Sequence, residues 1–143
     1  MKKAKLILIT TLAAIASYTN AGDLAPGRWE VKQTMKGEQL PPGMDKNKTR
    51  HRCLTAKEAK DIEQTMRQAS QRNNCGNPTT DRNGNTVSWT MQCNNSGRTI
   101  ETQGTMTAHN KKHYTSEITT LSDGHTLTVK ADATWTGPCE DQP

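Results

Sequence analysis

The sequence predicts a mostly β domain of the α+β class. We expect a curved antiparallel sheet of about five or six strands in a meander, with one helix packed on it and two disulfides. Three observations lead to this prediction. Apolar and polar residues alternate with a period of two along most of the chain beyond residue 22. Short turn-rich segments separate the alternating stretches, which favours antiparallel neighbours. The chain has four cysteines, an even number.

Residues 1–21 have the composition of a cleavable export signal. Three lysines within the first five residues precede an apolar run over residues 6–16, and small residues lead to a predicted cleavage site after Ala21. A second site after Ala16 is the alternative. The run is shorter than the roughly 20 apolar residues that a membrane span needs. We therefore predict removal of residues 1–21, a single exported domain over residues 22–143, and no membrane span.

The positive charge of the chain is concentrated in this signal. The formal net charge is +5, and the three signal lysines account for three of these charges. A domain so close to neutrality, in an exported location, is not expected to bind nucleic acid. Only 31% of the residues are hydrophobic and none is phenylalanine. The core is therefore expected to be small, and disulfides are expected to supplement it.

All four cysteines lie in the predicted exported part: Cys53, Cys75, Cys93 and Cys139. We expect two structural disulfides, each contributing about 2–4 kcal/mol. Because no Cys-x-x-Cys occurs, thiol exchange and a zinc knuckle lack their usual spacing. A hairpin centred on residues 83–84 would place Cys75 opposite Cys93 and leave Cys53 for Cys139. Sequential pairing around the helix, and the pairing of Cys53 with Cys93, remain open.

Five segments have the alternation of a half-buried strand, with one apolar face and one polar face rich in threonine. In the most regular of them, Val87, Trp89 and Met91 face one side, while Ser88 and Thr90 face the other. The joints that follow are short and rich in turn-forming residues. The predicted strands cover residues 29–35, 86–93, 99–108, 114–121 and 127–135.

A single helix is predicted over residues 55–70. Thr55 and Glu58 have the spacing of a capping box, and an apolar stripe recurs at helical intervals. Since only one face of each strand is apolar, we expect the helix to cover that face. The stretches over residues 36–48 and 71–78 are predicted to be loops. The stripe consists of Ala56, Ala59, Ile62, Met66 and Ala69.

A basic segment precedes this helix. Lys46, Lys48, Arg50 and Arg52 alternate with other residues, so as a strand the segment would present a row of cations on one face. The favoured interpretation is protection of a sheet edge, because charged edge strands resist aggregation. The alternative is a patch for anionic headgroups or for an acidic partner.

Common catalytic patterns do not occur in the sequence. It has no Gly-x-Ser-x-Gly elbow, no His-Glu-x-x-His and no glycine-rich phosphate loop, so we expect no enzyme and no cofactor. His109 and His113 bracket a turn and could approach each other. His51 lies two residues before Cys53, and His125 adjoins another turn. These are weak candidates for metal ligands, because two ligands at a hairpin tip hold a metal weakly without a third.

Several short motifs together resemble the bacterial family catalogued as domain of unknown function 3617. The resemblance extends over nearly all of the predicted mature chain. It implies a periplasmic location in a Gram-negative bacterium, and it implies no activity and no catalytic residues. The motifs are Gly27-Arg28-Trp29-Glu30, Arg52-Cys53-Leu54-Thr55, Cys75, Trp89-x-x-x-Cys93 and Gly137-Pro138-Cys139.

We therefore expect a non-enzymatic periplasmic domain that binds a lipid, an apolar small molecule or another envelope protein. A one-sided sheet closed by a helix forms a natural cradle for such a ligand. Trp29, Trp89, Trp135 and Met106 would line the cradle, although residues of these types are more often simply core. One alternative is a metal-binding or metal-assisted enzyme that uses the histidines. Another is a structural or stress-related envelope protein without a small ligand.

Overall fold

A computed structural model describes residues 24–38, 40 and 42–140, so the predicted export signal lies outside the described residues. The described chain forms seven strands and two helices. No helix in this part of the chain is long and apolar enough to cross a membrane. The elements are β1 (Gly27–Gly37), β2 (Asn47–Leu54), α1 (Ala56–Lys60), α2 (Ile62–Arg72), β3 (Thr79–Asn83), β4 (Thr86–Asn95), β5 (Arg98–Asn110), β6 (His113–Ser122) and β7 (His125–Gly137).

The strands form one antiparallel sheet in the order β2-β1-β7-β6-β5-β4-β3. Strands β4 to β7 make the predicted meander and β3 extends it by one hairpin, while β1 pairs along β7 and β2 pairs along the other side of β1. The predicted number of five or six strands is therefore too small. The two edge strands explain the difference, because β2 is the basic segment and β3 reads Thr-Thr-Asp-Arg-Asn. Neither edge strand has the apolar alternation that marks a half-buried strand.

The cross-strand register places the predicted inward residues on one face of the sheet. Val31 pairs with Ala133, and Ala133 pairs with Tyr114 on the next strand. Trp29 is 1% exposed and Ala133 is fully buried. Both helices contribute to the same core, so we call this side the helix face. The buried cluster consists of Leu24, Trp29, Val31, Leu54, Ala59, Ile62, Trp89, Met106, Ala108 and Ala133.

The predicted single helix is wrong in one respect, because the chain breaks it into α1 and α2 at Asp61. Asp61 leaves the helical conformation, with φ −136° and ψ 84°, and its carboxylate accepts a hydrogen bond from the Gln64 amide at 2.8 Å. Thr55 and Glu58 cap α1 in the predicted capping box. Asp61 and Gln64 repeat this spacing, so a second helix begins where the first would have continued.

Two disulfides connect the elements. Cys53 is joined to Cys139 and Cys75 to Cys93, which is the pairing that the hairpin argument favours. The first bridge links the edge strand β2 to the segment after β7, and β1 lies between them. The second bridge fastens the segment after α2 to β4. No described cysteine is free.

Gly104 allows the core to close over β5. It lies directly opposite Trp89, and a Cβ atom at this position would overlap the Trp89 indole. We expect Gly104→Ala to lower the free energy of unfolding by about 1–3 kcal/mol, because the ring must move within a packed core. Urea denaturation measures this loss. Gly76→Ala is the matched control, since the nearest atom to its added Cβ is at an ordinary 3.7 Å. Equal losses in the two variants would contradict the packing argument.

Candidate functional site

A cavity of about 150 Å³ lies between α2 and the helix face of the sheet. The sheet contributes Trp29, Met106 and Tyr114 to its lining, and α2 contributes Met66 and Ala69. The lining is therefore mainly apolar and aromatic. This is the composition of small-molecule sites, in which a few polar groups orient the ligand.

Trp29 and Tyr114 form the fixed wall of the cavity. The Trp29 indole N–H donates a hydrogen bond to the Ala25 carbonyl at 3.0 Å. Its ring centroid lies 5.2 Å from that of Tyr114, with the planes tilted by 45°. Burial raises the pKa of Tyr114, an effect that the positive charge of Arg52 partly offsets. The phenol therefore stays protonated at neutral pH.

Arg52 is the charged residue among the described lining of this cavity. It lies opposite Trp29 across β2 and β1, and its guanidinium is 3.7 Å from the carboxylate of Glu58. The Thr55 amide donates to that carboxylate at 2.9 Å and lowers the pKa of Glu58, and the Thr55 hydroxyl and Arg52 lower it further against the opposing effect of burial. Glu58 is thus ionised and partly neutralises Arg52.

The helix face carries a second group of apolar side chains, separated from the cavity by the paired row Gln33, Ala131 and Ser116. Met35 pairs with Val129, and Val129 pairs with Ile118. Leu127 lies two positions before Val129 in β7, on the same face. All four side chains are half-buried, yet only Ile118 among them packs against the buried cluster. We call Met35, Ile118, Leu127 and Val129 the apolar floor.

A row of cations borders this floor. Arg50 lies opposite Val31 and Lys48 lies opposite Gln33, so both face the same side as Arg52. All three are exposed, and we call them the basic edge. Lys46 lies one residue before β2, and its carbonyl accepts a hydrogen bond from the Met35 amide at 2.7 Å. The predicted row of cations on one face is therefore present on an edge strand.

The opposite face of the sheet carries two open grooves of about 540 and 360 Å³. Most of their lining residues have polar side chains, and Thr90, Gln103 and Thr119 are shared by both. Neighbouring hydroxyls on this face bond to one another, as between Thr119 and Thr128 at 3.2 Å. The grooves are larger than the cavity, but they have the character of the solvated side of a one-sided sheet.

The predicted approach of His109 and His113 is present, but it does not create a metal centre. The two rings stack with centroids 4.7 Å apart. The Nε2 atom of His109 is 2.8 Å from the Thr115 hydroxyl, and that of His113 is 3.3 Å from the Asp132 carboxylate. The two imidazoles are thus engaged with separate partners.

The other two histidines lie elsewhere on the sheet. His51 is 3.6 Å from the carboxylate of Glu30, and His125 pairs with Ser122 at the start of β7. Within the described ranges, no three His, Cys, Asp or Glu side chains are grouped as metal ligands. The four histidines are therefore not brought together.

Of the four residues predicted to line a cradle, two lie at the cavity and two lie elsewhere in the structure. Trp29 and Met106 reach the cavity. Trp89 packs against Gly104 within the core, and the Trp135 indole N–H donates to the Pro26 carbonyl at 3.0 Å at the end of β7. Tyr114, Met66 and Arg52 are lining residues that the sequence analysis did not nominate. The position of Met66 in the predicted apolar stripe of the helix was the feature of the sequence that could have identified it as a lining residue.

The comparison with protein families gives one match. A family model described as a protein of unknown function, DUF3617, matches residues 24–139. This range includes all seven strands, both helices and both disulfides. No curated protein and no solved structure shows a significant match to the chain.

Proposed function

The chain belongs to the DUF3617 family of proteins of unknown function, and we propose that it is a non-enzymatic periplasmic domain that binds a lipid or another apolar small molecule. The observation that carries this proposal is the cavity beneath α2 together with the apolar floor on the same face of the sheet. Apolar surface that the core does not use is available there for a ligand.

The volume of the cavity indicates how such a ligand is held. Sites that enclose a drug-sized molecule typically have volumes of about 300–1,000 Å³. The cavity beneath α2 has about 150 Å³. It therefore encloses only one end of the ligand, and the remainder lies along the apolar floor.

The chemistry of the lining supports binding and not catalysis. Arg52 and Tyr114 are polar groups that can orient a ligand, and the raised pKa of Tyr114 keeps its phenol protonated at neutral pH, so it is not available as a base. The described lining pairs no nucleophile with a general base. The periplasmic location is supported by the two disulfides, which persist in oxidising compartments, and by the predicted export signal.

Titration with the neutral fluorescent probe N-phenyl-1-naphthylamine tests the proposal. We expect saturable binding of one probe per chain. Ala69→Phe on the cavity side of α2 should weaken it, because the new ring occupies the cavity. Ala56→Phe is the matched control, since Ala56 is an exposed helical residue outside the described lining. No saturable binding, or equal weakening in the two variants, would overturn the proposal.

Native mass spectrometry of the protein purified from a periplasmic extract gives a second measurement. A bound lipid or other apolar molecule should remain with the protein and be lost on denaturation. Retention of a polar molecule alone would count against the proposed site.

A further inference from the structure

Resting on this proposed function, we infer that the ligand is a single-chain lipid with an anionic head group. Its acyl chain occupies the cavity and the apolar floor, and its head group contacts the basic edge formed by Lys48, Arg50 and Arg52.

The apolar floor and the basic edge are adjacent on one face of the sheet. Lys48 lies opposite Gln33, and the next residue of β1 on this face is Met35, which belongs to the floor. Neighbouring strands are about 4.8 Å apart, so one strand width separates the cations from the start of the floor. An amphiphile whose chain lies on the floor therefore brings its head group to β2.

The charges on this face favour an anion. Glu58 is paired with Arg52, whereas the ion pairs among the described residues include neither Lys48 nor Arg50. Glu63 of α2 is also ion-paired. Its carboxylate is 2.9 Å from the guanidinium of Arg82 on β3, the strand at the opposite edge of the sheet. Lys48 and Arg50, which have no ion-pair partner among the described residues, can attract an anionic head group at the rim of the apolar groove and repel a cationic one.

Edge protection alone does not explain the arrangement. Charges on either face of an edge strand would hinder pairing with another sheet. All three cations of β2 face the helix side, and the opposite face of the strand carries Asn47, Thr49 and His51. The cations are thus concentrated on the face that contains the apolar floor.

The size of the cavity favours a ligand with one chain. Sites that enclose a drug-sized molecule measure about 300–1,000 Å³. The cavity of about 150 Å³ is well below this range, so it suits the end of one acyl chain better than the two chains of a diacyl lipid.

Calorimetric titration of the oxidised protein with dodecanoate, below its micelle concentration, tests the inference. The neutral ester 1-monolauroylglycerol has the same acyl chain and serves as the comparison ligand. We expect dodecanoate to bind more tightly than the ester. Lys48→Gln with Arg50→Gln should weaken dodecanoate about tenfold or more and leave the ester unchanged. High salt should likewise weaken dodecanoate alone.

Lys32→Gln with Lys36→Gln is the matched control. It removes the same charge from the opposite face of the neighbouring strand β1, where Lys32 pairs with Asp132 and Lys36 with Thr128. We expect this variant to bind both ligands as the parent protein does. An equal loss of dodecanoate affinity in the two double variants, or no loss in either, would overturn the inference.

The outcomes separate this inference from the proposed function. If the ester and the naphthylamine probe bind but dodecanoate has no advantage, the inference fails and the apolar site stands. If neither neutral ligand binds, the proposed function itself fails. Acetate tests the head group without the chain, and acetate binding as tight as that of dodecanoate would indicate a simple anion site and overturn the inference.

Discussion

Replacing Cys53 and Cys139 with alanine is expected to lower the free energy of unfolding by about 4–5 kcal/mol, against about 3 kcal/mol for replacing Cys75 and Cys93. The difference follows from the length of chain that each bridge closes. The two bridges span sequence separations of 86 and 18 residues, respectively. A longer closed loop removes more conformational freedom from the unfolded chain, so its loss is more destabilising.

Equilibrium denaturation in urea of the two double-alanine variants measures both losses. The reduced parent protein is the control and should be less stable than either variant, because it lacks both bridges. A larger loss for the Cys75–Cys93 variant would contradict the loop argument. It would show instead that the attachment of α2 to β4 dominates the stability.

Trp29→Ala is expected to lower the free energy of unfolding by about 3–5 kcal/mol, the range for large-to-small changes in a core. Trp29 is 1% exposed and contacts the ring of Tyr114. Its removal enlarges a cavity that already exists beneath α2, and it leaves the Ala25 carbonyl without the indole hydrogen bond. Thermal and chemical denaturation both measure the loss.

Trp135→Ala is the matched control for this substitution. Trp135 is only half-buried. The ammonium of Lys112 lies over its ring, 4.5 Å from the ring centroid. We expect a clearly smaller loss of stability than for Trp29→Ala. Comparable losses would mean that the core is not centred on Trp29.

The parts of the fold that could be predicted from the sequence are those with local signals. The meander from β4 to β7 follows from period-two alternation and from turns such as Asp123-Gly124, where both residues have positive φ. The position of β1 between β2 and β7 has no local signal, because Trp29 meets Trp135 across more than a hundred residues. The edge strand β3 was implied only by the hairpin argument for Cys75 and Cys93, because its five residues include no apolar one.

The break between the helices was predictable in principle. Asp61 and Gln64 have the same spacing as Thr55 and Glu58, but the apolar stripe continues through Ala59 and Ile62 and favours one uninterrupted helix. The capping interaction of Asp61 outweighs that continuity in the structure.

The candidate site was only partly predictable for a related reason. Trp29 and Met106 were nominated because they are large apolar residues on alternating strands. Tyr114 appeared only as the first residue of the predicted strand over residues 114–121, and Arg52 only in the basic row and in a family motif. The contact between Arg52 and the cavity depends on where the helices cross the sheet, and no local pattern specifies that position.

The placement of β1 also determines when the domain can fold. Among the described residues β1 is the first strand and β7 is the last, yet they pair from Arg28 to Gly37. Until β7 has been synthesised, β1 can pair only with β2, and an isolated two-stranded hairpin is at best marginally stable in water. The core around Trp29 therefore forms only once the first and the last of the described strands have met, and contacts between residues so far apart in the sequence slow folding.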